Sequence, residues 1–202
     1  MTHLLDKTVT ALSIKTFDGG LTRKEDVYIG IDQSLTGFGL TALSEDNPLE
    51  FYTWVYKSPY FGIERLVDIK EWIGDTLDYI QELNAEILDV AIEGSVLQSP
   101  AALKLGELAA IVKLELYERD KIFPLQVAPM TLKKFAAGKG NAKKQEMLMQ
   151  MYKRWGVEFS DDNAADSYAL ARLVSGTGIN EVEKAIIKQM SDRKYRDEPR
   201  LS

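Results

Sequence analysis

The chain has no cysteine, a single histidine at position 3, and no apolar run approaching the ~20 residues of a membrane span. Each absence removes a class of function. Without cysteine there is no disulfide scaffold, no thiolate metal site and no thiol nucleophile. With only His3, near the N-terminus, a Ser-His-Asp triad or a histidine-ligated zinc finds no support. A metal site here must be built from oxygen donors, which selects hard cations such as Mg²⁺ or Mn²⁺. The opening Met1-Thr2-His3-Leu4-Leu5-Asp6-Lys7 lacks the charged and apolar regions of a signal peptide. A soluble, cytoplasmic protein with no membrane partner is expected.

What is present suits one α/β domain: 202 residues, of which 45% are hydrophobic, enough to bury a real core. The net charge of −6 argues at first against a nucleic-acid partner, but it is unevenly spread. Residues 119–154 hold nine Lys or Arg against two acids, Asp120 and Glu146, so that segment is +7 and the remainder −13. A local basic region on an acidic protein can still supply a phosphate footprint.

Residues 1–25 show no sustained period and read as an N-terminal extension. A single α/β domain follows over 26–176, and 177–202 reads as a peripheral helix and tail that frays at Pro199. Val27-Tyr28-Ile29-Gly30-Ile31 is a short apolar run ending at Asp32, the pattern of a buried strand. Residues 38–43 read as a strand returning in a hairpin, and the aromatic and β-branched run 51–56 as a third. Leu66, Ile69, Ile73, Leu77 and Ile80 then recur at helical spacing, predicting a helix over 62–83. Residues 87–92 form another strand ending at Glu93. Ser99-Pro100 signals a helix start, with Leu105, Leu108, Ala109, Val112 and Leu116 on one face. A fifth strand is expected over 123–127, then a loop at Gly138-Lys139-Gly140-Asn141, a helix over 143–154 and a core helix over 162–174. The order β-β-β-α-β-α-β-α-α means a mixed sheet, an antiparallel meander joined to parallel strands, with helices on its faces.

Three acids stand where solvation alone does not account for them. Asp32 and Glu93 end two strands, and the carboxyl ends of parallel strands are where ligand chemistry gathers. Asp166 shares its helix face with Ala169, Leu170 and Leu173, so it points at the sheet. Asn163 and Asp162 lie one turn earlier on that face. Buried like charges are unfavourable unless protons or a cation neutralise them. Two divalent ions about 4 Å apart would make such a cluster a phosphodiester hydrolysis site. The plainer alternatives are a turn-forming Asp32, a helix cap at Asp161 or Asp162, and a backbone hydrogen bond at Asp166. Lys133, Lys134, Lys139, Lys143 and Lys144 are candidates for phosphate contact, the alternative being a solvated helix face. Trp54, Tyr56, Tyr60 and Phe61 read as core or dimer contacts rather than base-stacking groups.

Taken in order, these segments resemble the RuvC-type Holliday junction resolvases. Gly30-Ile31-Asp32-Gln33-Ser34-Leu35-Thr36-Gly37-Phe38-Gly39 is similar to that family's opening motif. Ala91-Ile92-Glu93 with Ala102-Leu103-Lys104-Leu105-Gly106 resembles the second motif, and Lys133 with residues 138–144 the DNA-contacting segment. Asn163-Ala164-Ala165-Asp166-Ser167-Tyr168-Ala169-Leu170-Ala171 resembles the closing helix. The set spans residues 27–175 in the style of short phage and bacterial members, which would place the protein in a bacterial cell or a phage-infected host.

The resemblance implies an RNase H-like α/β fold with a mixed five-stranded sheet. It also implies a homodimer and Mg²⁺-dependent paired nicking of four-way DNA junctions that leaves a 5′-phosphate and a 3′-hydroxyl. It makes Asp32, Glu93 and Asp166 ligands of two Mg²⁺ ions, for which Mn²⁺ would substitute, with Lys133 and Lys144 near the scissile phosphate. The fourth ligand falls to Asn163 or Asp162, because Asn163 stands where the family has an acid or histidine. Val96 and Leu97 occupy the place of an aromatic that wedges the junction centre in some members. Two other functional classes share features with the chain. One is a related nuclease of flaps or forks, the other a non-catalytic branched-DNA-binding module. The 30–37 segment also looks like the phosphate motif of sugar kinase and actin-like ATPases, whose two lobes 202 residues cannot supply.

Overall fold

Alternation along the strands decides the architecture, because successive side chains leave a strand on opposite faces. In the computed structural model the described residues are 26–34, 37–83, 85–94 and 102–198. The expected N-terminal extension, the Ser99-Pro100 helix start and the Val96–Leu97 pair lie outside them.

Strands β1 (Val27–Asp32), β2 (Phe38–Ser44), β3 (Phe51–Tyr56), β4 (Ile87–Glu93) and β5 (Leu125–Val127) form one sheet in the order β3-β2-β1-β4-β5. β1 is antiparallel to β2 and β2 to β3, whereas β4 runs parallel to both β1 and β5. Parallel pairing needs crossovers, and helices α1 (Gly62–Glu82) and α2 (Ala102–Asp120) provide them. Both pack on one face, where Ile29, Ile31, Phe38, Leu40, Trp54, Tyr56, Val90 and Ile92 meet Trp72, Ile73 and Leu77 of α1 and Leu108, Val112 and Leu116 of α2.

The alternate residues of the same strands face a second helical layer: α3 (Pro129–Ala137), α4 (Lys144–Trp155), α5 (Asp162–Val174) and α6 (Glu181–Met190). Here the sheet offers small side chains, and α5 lies directly on it. A Cβ built on Gly30 would stand 2.0 Å from the Ser167 carbonyl oxygen, and one on Gly39 would stand 2.3 Å from that of Asn163. Buried hydroxyls stitch the contact: Thr41 Oγ1 lies 2.8 Å from both Thr53 Oγ1 and Ser167 Oγ. A mixed sheet with helices on both faces is thus the observed architecture.

Two local expectations are corrected. Helix α3 fills a stretch, 129–137, for which the sequence pattern predicts no element. Pro129 in its first turn and Gly138 at φ +84° after its last residue are its start and stop. The fifth strand begins at Leu125, not Phe123, since Pro124 has no N–H for the ladder and the Phe123 carbonyl accepts from Arg196 Nη1 at 2.7 Å. No helix among the described residues is long and apolar enough to cross a membrane.

Candidate metal and nucleic-acid site

The last paired residues of β1 and β4 are Ile31 and Ile92, so Asp32 and Glu93 leave the parallel pair side by side. Both belong to the face covered by α5, being in step with Gly30 and Ala91. Beyond the ladder, Gln33 Nε2 donates to the Glu93 carbonyl at 2.9 Å and ties the two strand ends together. Asp166 sits one position before Ser167, the residue whose carbonyl overlies Gly30. The glycines and the short side chains of α5 therefore let its carboxylate reach the sheet end. The helix start is fixed by Asp161, whose Oδ1 accepts from the amides of Asn163 and Ala164 at 2.8 and 3.1 Å. Asp161 is thus the cap.

Three carboxylates from three elements sense one another. Asp32 is 5% exposed. Burial first, then the charges of Glu93, Asp166 and Asp161, hold its pKa well above the ordinary carboxylate value, with Lys144 opposing. Burial and the Asp166 charge push Glu93 up to about 7, against Lys133. Burial and Asp162 raise Asp166 to about 6, against Lys133 and Lys144. Desolvation and mutual repulsion both disfavour the charged forms, the expected state of acids gathered without enough positive charge.

The donor chemistry fits a hard divalent cation: all oxygen, anionic and largely withdrawn from water. An orphaned acceptor adjoins it, since the buried Oε1 of Gln33 has no hydrogen-bond partner. The three acids are not already closed into a metal-binding cluster; among the described residues no group of three or more acidic or histidine side chains is.

The flanking candidates separate. Asp162 is engaged by Lys144 Nζ. Asn163 donates from Nδ2 to Asp161 Oδ1 at 3.2 Å and packs over Gly37 and Gly39. Of the five lysines, Lys133 and Lys144 are those whose charge reaches the carboxylates. Lys134 and Lys143 are exposed, and Lys139 pairs with Glu146 at 2.7 Å. Trp54 and Tyr56 are core, Tyr56 stacking on Trp72 with ring centroids 5.0 Å apart. Tyr60 and Phe61, expected as core or dimer contacts, are exposed on the single chain and so are not core. Gln33 was missed in the sequence because its only signal there is adjacency to Asp32.

No family model and no curated protein matches the chain. Solved structures do. The Thermus thermophilus RuvC structure superposes with a TM-score of 0.58 at 22% identity, covering 84% of this chain and 98% of that one. T. thermophilus RuvC in complex with a Holliday junction substrate superposes at 0.59 and 22% identity, covering 82% and 96%. The chain therefore has the RuvC, RNase H-like fold.

Proposed function

We propose that the protein is a divalent-metal-dependent endonuclease that resolves four-way DNA junctions. One observation carries this: Asp32, Glu93 and Asp166 converge from two parallel strand ends and a helix, with Lys133 and Lys144 facing them. In this reading the three carboxylates hold two Mg²⁺ ions, and Mn²⁺ can replace them. The neutral Asn163 is the remaining oxygen donor, and Asp162 tethers Lys144. When bound, the ions supply Lewis-acid activation of water and neutralise charge on the leaving oxygen. Lys133 and Lys144 orient the scissile phosphate and offset its charge, while the exposed Lys134 and Lys143 and the paired Lys139 extend the track along the backbone. Gln33 keeps the two strand ends, and hence Asp32 and Glu93, at fixed separation. Paired nicks in two strands call for two sites, so the active species is a homodimer. Hydrolysis leaves a 5′-phosphate and a 3′-hydroxyl.

The test is incubation with end-labelled four-way, forked and linear DNA, with and without Mg²⁺. Paired symmetric nicks in the four-way substrate, dependent on Mg²⁺, are expected. Cleavage confined to flaps or forks would reassign the substrate, and binding without any Mg²⁺-dependent nicking would make the protein a binding module.

A further inference from the structure

β1 and β3 both pair antiparallel with the strand between them, β2. β3 runs in the same direction as β1, and its last residue, Tyr56, pairs with Phe38 one step beyond the Asp32–Gly39 pair. The chain from Lys57 onward thus emerges at the sheet end that carries the acids. A Cβ on Gly37 would lie 3.7 Å from Lys57 Cε and 2.7 Å from Asn163 Nδ2, so this loop abuts the start of α5.

On that rim, Phe61 is 78% exposed and Tyr60 48%. The Phe61 ring is not left to swing freely. The Arg65 guanidinium carbon lies 5.0 Å from its centroid, and Arg65 is itself held by a 2.8 Å bond from Nε to the Tyr60 carbonyl. Phe61 also occupies the N-cap of α1 in extended conformation and makes no side-chain cap bond. Ser, Thr, Asp or Asn there would stabilise the helix by about 1 kcal/mol. A large apolar ring at an exposed cap opposes local stability, which is the mark of a residue kept for contact with something else. Residues 57–67 carry Lys57 and Arg65 against the single acid Glu64, a balance suited to a phosphodiester chain.

Resting on the branched-DNA reading above, we infer that Phe61, oriented by Arg65 and flanked by Tyr60, is a stacking platform for an unpaired base of the DNA. Aromatic faces accept any base, and Arg65 and Lys57 meet the adjoining phosphates.

The experiment uses full-length protein carrying Asp32→Asn to prevent cleavage. Binding is measured to a four-way junction and to linear duplex of equal length, with sedimentation of each variant alongside. Adding Phe61→Ala should weaken junction binding roughly 5- to 150-fold while duplex binding changes by less than about 2-fold, and Phe61→Tyr should restore it. A junction bearing 5-bromouracil at its centre should photo-crosslink to residue 60 or 61. Equal loss on both DNAs, no loss, or crosslinks confined elsewhere would overturn the platform. So would a Phe61→Ala protein that changes its oligomeric state, which would give this rim to a second copy of the chain. If the Phe61-containing protein itself fails to prefer the junction, the branched-DNA reading has failed first and the platform falls with it.

Discussion

The two faces of the sheet are built on opposite plans from alternate residues of the same strands. The face under α1 and α2 is wide and apolar, filled by large side chains such as Ile31, Phe38, Trp72 and Ile92. The face under α5 carries small side chains at its centre, Gly30, Gly39, Thr41 and Ala91, with larger apolar residues such as Leu43, Val55 and Val127 around them. The first supplies burial, at roughly 1.5–3 kcal/mol for each large side chain. The second gives up some of that burial so that a helix can come close enough to set Asp166 beside Asp32 and Glu93. Along β1 and β4 the large apolar side chains and the acids are separated by one residue of register.

Neighbours in sequence make the sharpest test of that division. Asp32→Asn, or Asp166→Asn, should lower Mg²⁺-dependent nicking by ~10³-fold or more, while junction binding holds. Ile31→Val, one position away but on the apolar face, should leave nicking nearly unchanged and cost about 0.5–1.5 kcal/mol in urea denaturation. Nicking by both carboxylate variants at the wild-type rate would remove the metal assignment.

The faces should also answer oppositely to a methyl group. Gly30→Ala adds one where the nearest atoms are the backbone Ser167 oxygen and the Ala171 nitrogen, 2.4 Å away, which no rotamer change relieves. A loss of about 3 kcal/mol is expected. Ile29→Val removes a methyl from the other face and should cost about 1 kcal/mol. Denaturation curves giving Gly30→Ala the smaller effect would mean that α5 does not sit on β1 as described.

A third contrast is in pH. Folded Glu93 and Asp166 titrate at about 7 and about 6, and Asp32 is also raised, so the fold holds protons that the unfolded chain releases near pH 4. Their contribution is complete below that value and is lost as pH rises through the folded pKa values. In EDTA the melting temperature should therefore fall by a few degrees between about pH 5 and pH 8. Mg²⁺ at pH 8 should restore it, and Glu93→Gln should flatten the slope. A melting temperature that rises over this window would contradict the buried acid cluster.

How much of this could be read in the chain follows from the same division. Strands ending in Asp32 and Glu93, helices over 62–83 and 162–174, and the inward direction of Asp166 come from local period. The cap at Asp161 follows from residue type. Helix α3 does not announce itself, because nine residues give only two turns of apolar spacing, Leu132 with Phe135 and Ala136, and Met130 faces solvent. Salt-bridge partners such as Asp162 for Lys144 and Glu146 for Lys139 are set by packing between elements. The exposure of Phe61 is equally tertiary, since an aromatic beside an apolar helix start has the same local pattern whether buried or displayed.

The smallest expected effect concerns how the face under α5 tolerates its own hydroxyls. Thr41 Oγ1 links Thr53 on β3 to Ser167 on α5, all three buried. Thr41→Val keeps the shape and removes the link. Ser167 retains the Ala164 carbonyl at 3.0 Å, so it is not stranded. The Thr53 hydroxyl loses this partner inside the protein, and an unsatisfied buried hydroxyl costs about 1–2 kcal/mol. Thr41→Val with Thr53→Val removes both ends of that bond and should recover part of the loss, because two methyls then meet where two oxygens did. If the double variant is instead destabilised by the sum of the single ones, the hydroxyls act independently, and the close approach of α5 rests on the glycines alone.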